Sequence, residues 1–179
     1  MSCETISRSR PHLCKTQGGL KNLYFINFDA ELFANKTVAN NEITDFGTPA
    51  SPYDLHKYEL RDGGHSLEDT NEVSGEAGTS FYSPTVTAVL KKQTPDDSAE
   101  LEKMSKSRPI IIVEDYAGNF KLVGGENGMD VVATAVSGSA MGENNGYNIE
   151  ATGKETRPAL FVDPTIIGDD TNTSIVVNA

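Results

Sequence analysis

Apolar and polar positions along this chain fall into short runs separated by Gly, Pro, Asn and Asp, the texture of strands joined by turns. Residues 20–28 (LKNLYFINF) set Leu23, Tyr24, Phe25 and Ile26 in succession, which predicts a strand buried on both faces. Residues 53–60 alternate Tyr53, Leu55, Lys57 and Glu59 against Asp54, His56, Tyr58 and Leu60, which predicts a half-exposed strand. Over 80–91 (SFYSPTVTAVLK) aromatic and β-branched residues dominate, and Val86, Ala88 and Leu90 share a face. Pro84 cannot donate to a ladder, so the first half of that run is an edge or a bulge. Next, Thr94 is an N-cap, Pro95 the first helical residue, and Asp96 and Asp97 complement the dipole of a helix expected over 95–106. Leu101 and Met104 give it a narrow apolar stripe, and Arg108-Pro109 ends it. Residues 110–113 (IIIV) read as a buried strand that turns at 116–119 and returns as 120–123. Runs 130–136 and 147–152 alternate, 158–162 adds a short strand, and Gly- and Asn-rich turns join them into a meander.

The polar stretches divide the rest. Residues 40–52 are turn-rich, and 62–78 carry Asp62, Glu68, Asp69, Glu72 and Glu76 with four glycines and no Lys or Arg, which predicts a long surface loop. Loops beyond about 12–15 residues in a compact domain tend to be functional or disordered, so contacts with a neighbour are placed on those five acids. Residues 163–179 form a tail whose β-prone tip, Ile175, Val176 and Val177, needs a strand partner inside the domain or on a neighbour. The expected organisation is a polar arm over 1–19, a β domain over 20–162 and that tail, with no fixed-period repeat. The fold class is mostly β: an antiparallel sandwich or half-barrel with one flanking α-helix.

At 179 residues the chain can bury one core without disulfides or metal. Its net charge of −11 argues against holding nucleic acid by phosphate neutralisation, although a conduit that DNA slides through is better lined with like charge. The N-terminus contains no apolar core of signal-peptide length, and no run of about 18 apolar residues occurs, which predicts a soluble protein made in the cytoplasm. Cys3 and Cys14 have neither zinc nor redox spacing and are expected as free thiols. The glycosylation-like triplets at Asn35 and Asn172 are discounted for want of a signal sequence.

Candidate chemistry is sparse. His12, His56 and His65 are scattered and read as surface or loop residues. The glycines of 124–128 lack the Lys and Ser or Thr of a phosphate loop, and Ser137 and Ser139 fail the nucleophile-elbow pattern. Glu114 and Asp115 point to opposite faces of a strand or sit in a turn, poor geometry for paired acids. The oxygen-rich segments 68–72 and 169–172 do not match a calcium loop. No catalytic, cofactor-binding or metal-ligating residue is assigned, and the chain is read as a structural or interaction protein without enzymatic activity.

The order of parts resembles the tail-tube and tail-ring proteins of tailed bacteriophages, most of the chain being covered. The polar start running into GGLKNLYFINF, the F-x-x-x-x-V-T-A-V-L-K strand before the Thr94-Pro95 helix, and IIIVEDYAGNFKLVGGENG followed by GYNIEATGKE look like virion proteins of short-tailed, crAss-like phages. The resemblance implies a homo-oligomeric ring in the virion tail that contacts the portal and other tail proteins and continues the channel through which DNA passes. It implies that the 62–78 segment reaches an adjacent ring or subunit and that acids such as Glu59 or Glu150 face a lumen. The alternative is a carbohydrate- or surface-binding β-sandwich module with Tyr53, Tyr58 and Tyr82 as stacking platforms, although Trp, the favoured sugar platform, is absent.

Overall fold

Period-two alternation and one capped helix build two sheets that pack face to face. The computed structural model describes residues 10, 17–47, 52–61, 63–170 and 173–176, apart from the side chains of Leu32 and Phe33. In chain order the elements are β1 (Leu20–Ile26), α1 (Ala30–Ala34), β2 (Thr37–Ala39), β3 (Glu42–Asp45), β4 (Tyr53–Glu59), β5 (Ser66–Ser74) and β6 (Thr79–Lys91). They continue as α2 (Pro95–Lys106), β7 (Ile110–Asp115), β8 (Phe120–Val123), β9 (Asp130–Val136), β10 (Gly146–Thr152), β11 (Leu160–Val162), a 3-10 turn (Pro164–Ile166) and β12 (Thr173–Val176). The larger sheet runs β12-β4-β1-β7-β8-β11-β3-β2 and the smaller β5-β6-β10-β9. Pairing is antiparallel except for β12 with β4 and β11 with β3.

Each face of the larger sheet has its own core. Leu23, Phe25, Ile111 and Val113 point toward the smaller sheet, where they meet Val86, Ala88, Ile149 and Ala151 and the α2 residues Leu101 and Met104. Tyr24, Ile26, Ile110 and Ile112 point the other way and gather with Ile43, Leu55, Phe46 and Ile166. A strand with apolar residues at consecutive positions needs partners on both sides, which is why β1 and β7 are buried almost throughout.

The second core also sets the shape. Laid flat at about 4.8 Å per step, the five steps from β4 to β3 would put these strands about 24 Å apart. Phe46, just past β3, nevertheless lies edge-on to Tyr53 at the start of β4, with ring centroids 6.4 Å apart. The larger sheet therefore curls around Ile43, Leu55 and Phe46 as a half-barrel, and the smaller sheet with α2 covers its outer face.

Helix α2 has the expected bounds and cap: the Thr94 hydroxyl accepts from the Asp97 amide at 3.1 Å, and Leu101 and Met104 form its buried stripe. Four expectations are corrected. Residues 66–74 are a strand, not part of a long loop, because the overlong β6 lends them a ladder from Ser66↔Thr87 to Ser74↔Thr79. The 110–152 run is not one meander, since the turn after β8 carries the chain into the other sheet. Residues 163–176 are not a separate tail, since β12 pairs in parallel with β4, which supplies inside the domain the strand partner expected for Ile175 and Val176. The 40–52 stretch contains β3, joined to β2 through Asn40 and Asn41 at φ 51° and 68°, the two left-handed positions of a tight hairpin.

Candidate functional site

The expected contact acids converge on one element. Glu68, Asp69 and Glu72 lie along β5, and Glu76 sits in the turn that joins it to β6. Asp62 lies outside the described residues. From Glu68 to Ser80 every residue is exposed, with Val73 at 71%. The β5–β6 hairpin therefore stands clear of the body as an arm, and its sequence contains no cation over 66–81.

Among the described residues, one long edge of this arm has no strand beside it. The Tyr82 amide donates to the Glu155 carbonyl at 2.8 Å, and the Pro84 carbonyl accepts from the Gly153 amide at 3.0 Å. These groups point away from β5, so their register partners Asn71 and Asp69 form the non-bonded pairs of the β5–β6 ladder. By alternation the main-chain polar groups of Leu67, Asp69, Asn71 and Val73 face outward along the open edge. Pro84 fits here because its missing donor falls where the β10 ladder ends at Thr152↔Thr85.

Local bonds stiffen the arm. Asn71 donates to the Tyr82 hydroxyl at 3.3 Å and accepts from Ser80 at 3.1 Å, while Ser83 donates to Glu72 at 2.6 Å. Lys154 Nζ lies over the Phe81 ring, 5.5 Å from its centroid. At the root, the His65 Nδ1 accepts from the Val89 amide at 3.1 Å and its Nε2 faces the Arg61 carbonyl at 3.1 Å. His65 lies in a loop, as the sequence allowed, but it is a buried bracing residue there and not an exposed one. The Asp69 carboxylate accepts from the Ala159 amide at 2.8 Å and ties the arm to the segment before β11.

A cavity of about 270 Å³ lies at that tie, lined by Lys36, Pro84, Glu126, Glu155, Arg157 and Ala159 among others. Its two acids form a reciprocal clasp. Glu155 accepts from the Glu126 amide at 3.0 and 3.3 Å, and Glu126 accepts from the Thr156 amide at 2.9 Å and hydroxyl at 2.7 Å. Burial holds the Glu155 carboxyl above the usual range, and the neighbouring Glu126 charge adds to this, against the amide bonds and Lys36. Burial, with the Arg157 charge, lowers Lys36. Both carboxylates are engaged with main-chain donors, so the chemistry of this cavity is that of a structural clasp.

The remaining predicted residues lie elsewhere. Ile175 and Val176 pair with Leu55 and His56, on the other sheet from the acids, and Val177 lies outside the described residues, as do Cys3, Cys14 and His12. Glu59 bonds Lys57 at 2.9 Å, and Glu150 is exposed on β10. Tyr53 packs edge-on to Phe46, and Tyr58 edge-on to Phe25 at 5.1 Å, its phenol pushed up to about 12 by burial. Sequence reasoning weighed Glu114 only as half of an acid pair and missed its burial, in which it accepts from Lys21 at 2.7 Å, Asn22 at 2.5 Å and Tyr24 at 2.8 Å. The signal available was the polar pair Lys21 and Asn22 near the start of an otherwise apolar strand, with Asn22 in register with the Glu that follows IIIV.

Among the described residues, no group of three or more His, Cys, Asp or Glu side chains is placed to hold a metal, and no helix is long and apolar enough to cross a membrane. The chain matches no protein-family model, no curated protein and no solved structure.

Proposed function

We propose that the chain is a structural subunit of a bacteriophage tail ring, without catalysis, whose copies join through projecting edges into a closed collar continuing the DNA channel. The observation that carries the reading is the β5–β6 arm: a hairpin exposed on both faces, stiffened by its own side-chain bonds and bearing Glu68, Asp69, Glu72 and Glu76. An exposed long edge is an aggregation liability in a free monomer, and cyclic assembly is a way to cover such edges without leaving new ones. Sequence resemblance to tail-ring proteins supplies the kind of assembly, and the net charge of −11 suits a channel that must not retain DNA. In this reading the protein resides in the virion tail and contacts the portal.

Negative-stain microscopy and light scattering of the purified chain, alone and with a portal complex, test this. Rings with a central hole are the expected result. A monomer that stays monomeric with the portal present, at high concentration and moderate salt, would refute it.

A further inference from the structure

The connection from β4 to β5 is fastened to β6 by a side chain. β5 begins at Ser66, opposite Thr87. Because Tyr82 and Pro84 turn their main-chain groups away from β5, alternation turns those of Thr85, Thr87 and Val89 toward it. No residue of β5 is left to meet Val89, and the His65 ring takes that rung: Nδ1 accepts from the Val89 amide at 3.1 Å, and Nε2 lies 3.1 Å from the Arg61 carbonyl.

The two partners fix the protonation of the ring. A main-chain amide can only donate, so Nδ1 must present its lone pair, and a carbonyl can only accept, so Nε2 must carry the hydrogen. The neutral imidazole with its hydrogen on Nε2 meets both demands. An imidazolium carries hydrogen on both nitrogens, which sets its Nδ1–H against the Val89 N–H. His65 is only 7% exposed, so water has little access to make up that loss while the ring stays in place. Its charged surroundings offer no replacement either. β6 meets the ring through the uncharged Val89 and the connection through the Arg61 carbonyl, while Asp115 of β7 and Lys121 of β8 share its cavity of about 240 Å³. Asp115 is held by the amide and the side chain of Asn119, both at 2.8 Å, and Lys121 lies over Phe161, 5.0 Å from the ring centroid.

We propose that His65 is a proton-operated latch for the β5–β6 arm: neutral, it holds the β4–β5 connection to Val89, and protonated, it leaves that position and frees the root of the arm. The latched form binds one proton fewer than the released form, so acid favours release. Latching is complete above the histidine range and is lost as pH falls through it, between about pH 8 and about pH 5. The proposal concerns contacts within one copy, so it stands whether or not copies assemble into a ring.

NMR on the full chain, acidified across that range, tests it. Long-range proton–nitrogen correlations of the ring report which nitrogen holds the hydrogen. Exchange of the Val89 amide, taken relative to the free-amide rate at each pH, reports the latch. The expected result is a neutral ring with its hydrogen on Nε2 at the alkaline end, then ring protonation accompanied by an about tenfold or greater loss of Val89 protection. The amides of β6 paired with β10 are expected to keep theirs, which reports an intact fold. His65→Asn keeps an oxygen that accepts from Val89 without taking up a proton, so its Val89 protection is expected not to change with pH. Hydrogen on Nδ1 in the neutral ring overturns the proposal, as does a ring that protonates with Val89 still protected, or one that stays neutral with Val89 protected throughout. Loss of protection in the Asn variant over the same range overturns it too, because another group would then be responding. Should that variant not fold, the ring state and the Val89 protection of the parent chain decide the matter.

Discussion

Glu114 and Glu155 are both buried carboxylates, and their surroundings drive them in opposite directions. For Glu114 burial alone would raise the pKa, but bonds from Lys21, Asn22 and Tyr24 outweigh it and hold the group below the usual range. A depressed folded-state pKa contributes stability above the ordinary carboxylate value, and that stability is lost as pH falls through the depressed one. Glu114→Ala also leaves the buried Asn22 and Tyr24 donors without their acceptor, so it is expected to cost about 2–4 kcal/mol at neutral pH by urea denaturation. The cost should shrink toward strongly acid pH. Glu155 carries the opposite sign: its raised pKa is a penalty in full above that pKa, relieved as pH falls toward the ordinary carboxylate value. Glu155→Gln keeps an acceptor for the Glu126 amide without the charge, so it is expected to match or exceed the parent stability at pH 7. The parent should gain on it as the solution is acidified, a trend readable in paired thermal melts.

Elements here depend on close backbone approaches as much as on propensity. Gly146 faces Lys91 in the first pair of the β6–β10 ladder, and a Cβ on it would stand 1.9 Å from the neighbouring Leu90 carbonyl oxygen. Main chain cannot yield as a side chain does, so Gly146→Ala is expected to destabilise by about 2 kcal/mol or more, with exchange protection lost first along β9 and β10. Gly63 meets nothing within 4 Å at the same position and makes the matched control, expected to change stability little. The same element-scale view explains β5. Past the half-buried Leu67 its side chains are exposed on both faces and, Val73 apart, polar, so no period-two apolar pattern marks it, and only the ladder offered by β6 makes it a strand.

For the whole molecule, a charge of −11 works against any assembly of identical copies. Raising salt from 0.1 M to 1 M shortens the screening length from about 10 Å to about 3 Å. Ring formation is therefore expected to strengthen with added salt, measured as weight-average mass by light scattering at fixed protein concentration. Assembly that weakens steadily with salt would mean that opposite-charge contacts between copies dominate instead.

Sequence alone determined the parts whose signals are local. Thr94, Pro95 and the early acids bound α2, consecutive apolar residues marked β1 and β7 as buried on both faces, and Gly- and Asn-rich turns delimited β8 through β10. Those readings depend on neighbours within a few residues, and so does the mostly β class. Tertiary structure decided what depends on distant partners: that 66–74 forms a strand, that β12 adds to β4, that the larger sheet curls until Phe46 meets Tyr53, and that His65 is buried. It also gathered four predicted acids onto one arm and placed Ile175 and Val176 on the other sheet. A ladder bond or a buried polar contact joins residues far apart in the chain, and its free energy lies in the pair, so neither residue announces it alone.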